Sequence, residues 1–235
     1  MAPSPMAKAT IQSALIGAAS NILAQAITAQ KYSKPFVIDW IPVFQFFMFS
    51  VVSTPPNFMW QEFLESAFPA HHVAPTKEAI ASASAGDEKE LDREAREGRL
   101  VEPRLNKGNT LIKTLLDQTA GAAVNTVLFS FFMTGIQMAM AHRTLHAEAG
   151  YGDAAKSLRW LLLSGKAVNY QNINWDVLLE KTQREFVPIV LAGWTFWPLV
   201  SVVNFAFVKS VETRNLVGSL AGLVWGIYMS MFAAR

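Results

Sequence analysis

The chain has 235 residues, with 20 Lys plus Arg against 18 Asp plus Glu and a formal net charge of +2. So small a charge excludes a global electrostatic case for nucleic-acid binding. Charged residues make up 16% of the chain and apolar ones 51%, where a typical soluble domain carries roughly 25% charged.

The charges that remain are unevenly placed. Fifteen of the 38 lie in residues 77–107, and five windows contain no Asp, Glu, Lys or Arg: 9–30, 40–61, 118–142, 186–208 and 215–234. Each holds at least 20 residues, which as a helix rising ~1.5 Å per residue crosses a hydrocarbon core of roughly 30 Å. A water-soluble helical bundle would show charges every few positions on each outer face. A transmembrane barrel would alternate apolar and polar residues, and Phe44-Gln45-Phe46-Phe47-Met48-Phe49 does not. The expected class is therefore all-α: one polytopic membrane domain over 1–235, with four to five spanning helices. There is no cysteine, which excludes disulfides and thiolate metal sites.

In chain order, the first window carries Ser13, Gly17, Asn21 and Gln25 at four-residue spacing, one polar stripe on a helix. Such a stripe faces other helices or a polar passage, because Asn and Gln are costly against lipid. The second window is interrupted by Thr54-Pro55-Pro56-Asn57, where the helix is expected to kink or end. A charged insert follows at 70–110, with eight acidic and seven basic residues between Lys77 and Lys107, read as a solvent-exposed loop. The third window opens on Asp117-Gln118, and Asp117, Gly121 and Asn125 again recur every fourth residue, with the carboxylate at the mouth of the span.

His142 and His146 stand four apart, but no third ligand is evident, so no metal is expected. Ser157-Leu158-Arg159-Trp160-Leu161-Leu162-Leu163 reads as an amphipathic helix at the interface. The fourth window holds Trp194, Trp197-Pro198 and Asn204, with a kink expected at Pro198. The fifth holds Gly218, Gly222, Gly226 and Ser230, a stripe that lets another helix approach closely. Packing within the bundle is the first reading of that stripe, and a homo-oligomer seam is the second.

The ordered set Trp194-Thr195-Phe196-Trp197-Pro198, Asn204-Phe205, Val208, Arg214 and Trp225-Gly226-Ile227-Tyr228-Met229-Ser230 resembles the signature of the Mpv-type family of small peroxisomal and inner-mitochondrial membrane proteins. Leu115-Leu116-Asp117-Gln118, Val187-Pro188, Ile38-Asp39-Trp40 and Phe68-Pro69 also sit where that family has them. Ser201 stands in place of the family's Gln, Lys209 in place of its second Pro, and Arg214 one residue late.

The resemblance implies a bundle of four spans and channel-like passage of small solutes across an organelle membrane. On that reading Asn21, Gln25, Asp117, Gln118, Asn125 and Asn204 are candidates to line the passage. Asp117 would favour cations, and Lys209 and Arg214 would attract anions. The alternative is a non-conducting scaffold that recruits partners through the insert. No catalytic constellation, nucleotide loop, metal site or cofactor is expected, and the partners are the lipid bilayer, small polar solutes and a second copy. The peroxisomal membrane ranks ahead of the mitochondrial inner membrane because no presequence is visible.

Overall fold

A computed structural model describes residues 3–140, 154–163 and 167–233, with backbone alone at 154–156 and 229–233. It is all-α apart from one two-stranded ribbon. In chain order the elements are α1 (Pro5–Lys31), α2 (Trp40–Ala67), β1 (His71–Pro75), α3 (Lys77–Ala85), α4 (Glu88–Arg96), β2 (Val101–Leu105) and α5 (Lys107–Leu116). A π-helical turn, Asp117–Gly121, joins α5 to α6 (Ala122–Ala139). Then come α7 (Ala154–Leu163), α8 (Trp175–Gly193), α9 (Trp197–Phe207) and α10 (Val211–Ala233).

Local chemistry sets the helix starts. Ser4 accepts from the Ala7 amide at 3.2 Å, with Pro5 in the first turn of α1. Asp39 caps α2 through the Ile41 amide, Asn106 caps α5 through Asn109, and Asn174 caps α8 through Val177. Each cap satisfies a backbone donor that has no partner within its own helix.

α1 packs between α2 and α10. Ser13 and Ser219 share a hydrogen bond of 2.6 Å, and the Ser20 hydroxyl donates to the Leu223 carbonyl at 3.4 Å. Phe49 of α2 meets Phe129 edge-on and Phe132 at a tilt, centroids 5.2 and 5.8 Å apart. Between α6 and α8, Leu178 is fully buried and the Ser130 hydroxyl donates to Glu185 at 2.8 Å.

The burial pattern is inverted relative to a water-soluble bundle. Ser13, Ser20, Asn21, Gln45, Thr54, Thr126, Ser130 and Thr134 are buried, whereas Leu199 and Phe207 are 72% and 75% exposed. Small hydrogen-bonding residues inside and bulky apolar ones outside are what lipid selects, because apolar contact drives no association there.

Several elements depart from expectation. Pro55 and Pro56 lie inside α2, which runs unbroken. Their cost is two missing amide donors within a 28-residue helix packed against α1. Pro198 does more than kink: α8 stops at Gly193, α9 starts at Trp197, and the two axes differ by 58°. Pro198 sits in the first turn of α9, where its missing amide costs nothing.

The charged insert is folded, not a loop. β1 and β2 pair antiparallel, His71 opposite Leu105 and Pro75 opposite Val101, with the α3–α4 hairpin between them. Flanking bonds from the Thr76 amide to Leu100 and the Asn106 amide to Ala70 fix the alternation of pairs. Pro75 and Pro103 thereby fall at positions whose amides would point away from the ladder, which tolerates them. Gly86 ends α3 at φ +66°, the left-handed cap that glycine adopts freely.

Among the described residues, one helix is long and apolar enough to cross a membrane, Lys107–Ala139. The bent pair Trp175–Gly193 and Trp197–Phe207 passes the same test together.

Candidate functional site

Asp117 was expected at the mouth of the third span, but the helix begins ten residues earlier, at Lys107. The carboxylate therefore projects from within a 33-residue helix, at the first residue of its π-turn. A π-turn widens the helix locally and re-aims its side chains, and such turns concentrate at functional positions.

Four neighbours converge on this carboxylate. The Trp60 indole N–H and the Gln61 amide donate to Oδ1 at 3.3 and 3.2 Å, and the Gln118 amide and the Ser201 hydroxyl donate to Oδ2. Gln118 also donates to Ser201 at 2.8 Å, and its own carbonyl accepts from the Trp194 indole at 2.8 Å. Asp117 thus ties α2 to the broken α8–α9 pair. Gly121 makes the approach feasible, since a Cβ there would lie 2.9 Å from Trp60 Nε1. The side-chain oxygens of Gln61 and Gln118 are buried without a partner among the described residues.

Beside this hub a shallow groove of about 170 Å³ runs between α2 and α6. Pro56, Asn57 and Trp60 line one side, and Gly121, Val124 and Asn125 the other. Asn125 donates to Asn57 across it at 3.4 Å.

The other stripe residues lie elsewhere. Gln25 donates to Asn21 and to the Asp39 carbonyl and accepts from the Asp39 amide, each at 2.8 Å, so it closes the α1–α2 turn. Asp39 and Trp60 stand at opposite ends of α2, which puts roughly 30 Å between the two polar groups at ~1.5 Å per residue. Asn204 sits in a third group, donating to the Arg214 carbonyl at 3.3 Å.

That third group contains what sequence reasoning missed: Glu65 and Lys113. Glu65 pairs with Lys113 at 2.7 Å and with Arg214, while its other oxygen accepts from the Ala70 amide at 2.9 Å. Both cations lie over the Phe205 ring, 5.1 and 5.6 Å from its centroid. Arg214 Nε donates to the Val208 carbonyl at 2.9 Å, which locks the α9–α10 turn. Lone charges at the ends of charge-poor windows were the only available hint.

Two tryptophans of the signature, Trp197 and Trp225, pack in an aromatic cluster. Trp225 stacks on Phe196 and Tyr228 at 5.9 and 5.3 Å and tilts against Trp197 at 6.2 Å, holding the start of α9 on α10. Among the described residues the glycine stripe engages the chain at one point: a Cβ on Gly226 would lie 3.0 Å from Ser20 Oγ, while Gly218 and Gly222 have nothing within 4 Å. The expected packing inside the bundle is thus limited to Gly226. The Ser230 side chain, His142 and His146 lie outside the described residues.

Polar and charged groups buried between long helices whose outer faces are apolar are the pattern that lipid selects in a helical membrane protein. Residues 170–230 match the Mpv17 / PMP22 family. Over 58 residues the chain is 41% identical to PXMP2/4 family protein 3 of Dictyostelium discoideum, covering 25% of this chain and 31% of that protein. It is 29% identical over 59 residues to the peroxisomal membrane protein PMP22 of Arabidopsis thaliana, covering 25% and 30%. It is 43% identical over 53 residues to protein sym1 of Aspergillus oryzae, covering 23% and 30%. The matched part thus spans about a third of each relative. No solved structure matches the chain significantly.

Proposed function

We propose that the protein is a pore-like protein of an organelle membrane, passing small polar solutes through a bundle of four to five spans. α5–α6 and the bent α8–α9 pair are the candidate crossings by length and apolarity together, and α1, α2 and α10 are added by length, each having at least 23 residues. The name of the Arabidopsis relative favours the peroxisomal membrane, with the mitochondrial inner membrane as the alternative.

The observation that carries this reading is the Asp117 carboxylate, held by α2 and by the broken α8–α9 pair inside a long apolar helix. An ionisable group at such depth is costly and marks a polar pathway by default, and broken helices are how membrane proteins build such pathways. Purified protein in planar bilayers should conduct, and Asp117→Asn should shift the reversal potential in a salt gradient away from cation preference. Folded protein that leaves bilayers silent would overturn the reading.

The folded insert supports a second reading, a scaffold that recruits partners. Val73, Ile80 and Val101 are at least half exposed on it. Deleting residues 77–107 should then abolish capture of a partner and leave any conductance intact.

A further inference from the structure

The helix ends around Glu65 hold more positive charge than negative. Lys113 and Arg214 are 0% and 1% exposed, and among the described residues the one carboxylate that reaches both is Glu65. Two buried cations on one anion leave these three side chains a net charge of +1, and Arg214 lies in the first turn of α10, where the helix dipole adds to it and Glu212 offsets part of it. Arg214 Nη2 is buried without a hydrogen-bond partner among the described residues. Lys113 Nζ has one oxygen partner, Glu65, and otherwise faces the Phe205 ring. A buried charge left uncompensated in this way is strongly unfavourable.

Glu65 differs from its partners in being 30% exposed. It is the movable member, reaching inward from the last turn of α2. Rotating it toward solvent would free three donor groups at once: Lys113 Nζ, the Arg214 guanidinium and the Ala70 amide. A planar guanidinium beside an ammonium and a backbone N–H is the donor set that holds an oxyanion.

We propose that Lys113, Arg214 and the Ala70 amide form a binding site for a small oxyanion of the phosphate class, with Glu65 as the resident counter-ion that the ligand displaces. The site lies where α2 and α9 end and α5 and α10 begin, at the base of the insert. It is separate from the Asp117 hub and stands whether or not the protein conducts.

The test is equilibrium binding of inorganic phosphate to the detergent-solubilised full chain at constant ionic strength, with folding followed by circular dichroism. The wild type should take up about one phosphate per chain, weakly. Glu65→Gln removes the competing carboxylate and should bind about tenfold tighter or more, the order expected for a charge-assisted hydrogen bond. Lys113→Gln leaves a balanced Glu65–Arg214 pair and should stay folded while losing the uptake. A water-soluble short-chain phosphatidic acid that competes far better than phosphate would identify a lipid headgroup as the source, and equal competition a free anion. Wild-type uptake no greater than that of Lys113→Gln would overturn the proposal, and so would folded Glu65→Gln with unchanged affinity. Should Glu65→Gln not fold, the comparison of wild type with Lys113→Gln decides alone.

Discussion

Two glycines that look alike in the sequence meet different surroundings. A Cβ at Gly17 would overlap Ser50 Oγ and lie 3.2 Å from the Phe46 carbonyl oxygen. Ser50 can rotate aside, but the backbone oxygen cannot. Gly17→Ala should therefore cost about 1–3 kcal/mol, the usual range for overpacking, as a lowered thermal midpoint in detergent. Gly222→Ala meets nothing within 4 Å and gains helix propensity, so it should be neutral or stabilising by up to about 1 kcal/mol. A loss from Gly222→Ala would mean that α10 is packed on its Gly222 face, and no loss from Gly17→Ala would mean that α1 is not closest to α2 at Gly17. Side-chain size alone does not tell the two positions apart, because close approach depends on where a second helix lies.

At the scale of elements, the insert is attached at a single point in the chain, between Ala70 and Asn106, and its principal packing is internal: β1 on β2 and α3 on α4. Replacing residues 77–99 by an Asn-Gly turn should convert it to a plain hairpin, because Thr76 already pairs with Leu100. The bundle's melting midpoint should hold and the helical signal should fall only by the share of α3 and α4; a lost bundle transition would show that these helices brace it.

The charge-free windows made the long helices legible but not their starts, since α5 begins at Lys107, ten residues before the expected mouth at Asp117. The strands were not legible, since HHVAP and VEPRL carry prolines and no clear alternation. Nor was the π-turn, which needs one residue more per turn and has no composition of its own. Asp117 was found because a lone carboxylate stands out among apolar neighbours. Its partners Trp60 and Ser201 lie 57 and 84 positions away, and Glu65 and Arg214 are 149 apart, separations that no local pattern encodes.

For the whole molecule, the decisive arrangement is that the first and last helices are neighbours. α1 lies against α10 through the Ser13–Ser219 bond and the contact of Gly226 with Ser20, so the chain's two ends close the bundle. In a membrane this pairing rests on close packing and hydrogen bonds alone, since burial of apolar surface contributes little there. The absence of cysteine gives a clean test. With hydroxyl oxygens 2.6 Å apart, replacing both serines places two sulfurs within reach of a bond of about 2.05 Å. The double variant Ser13→Cys with Ser219→Cys should form an intramolecular disulfide under mild oxidation, seen as faster migration on a non-reducing gel and reversed by reductant. It should also raise the thermal midpoint, because the bond closes a loop of most of the chain and restricts the unfolded state. The pair Leu15→Cys with Ser219→Cys is the control: Leu15 lies on the same helix, is 61% exposed, and is turned about 200° from Ser13 at ~100° per residue. Cross-linking of the control as readily as of the serine pair would mean that α1 rotates freely against α10. Cross-linking between chains instead of within one would mean that this contact joins two copies, and the closure of the bundle by its own ends would have to be abandoned.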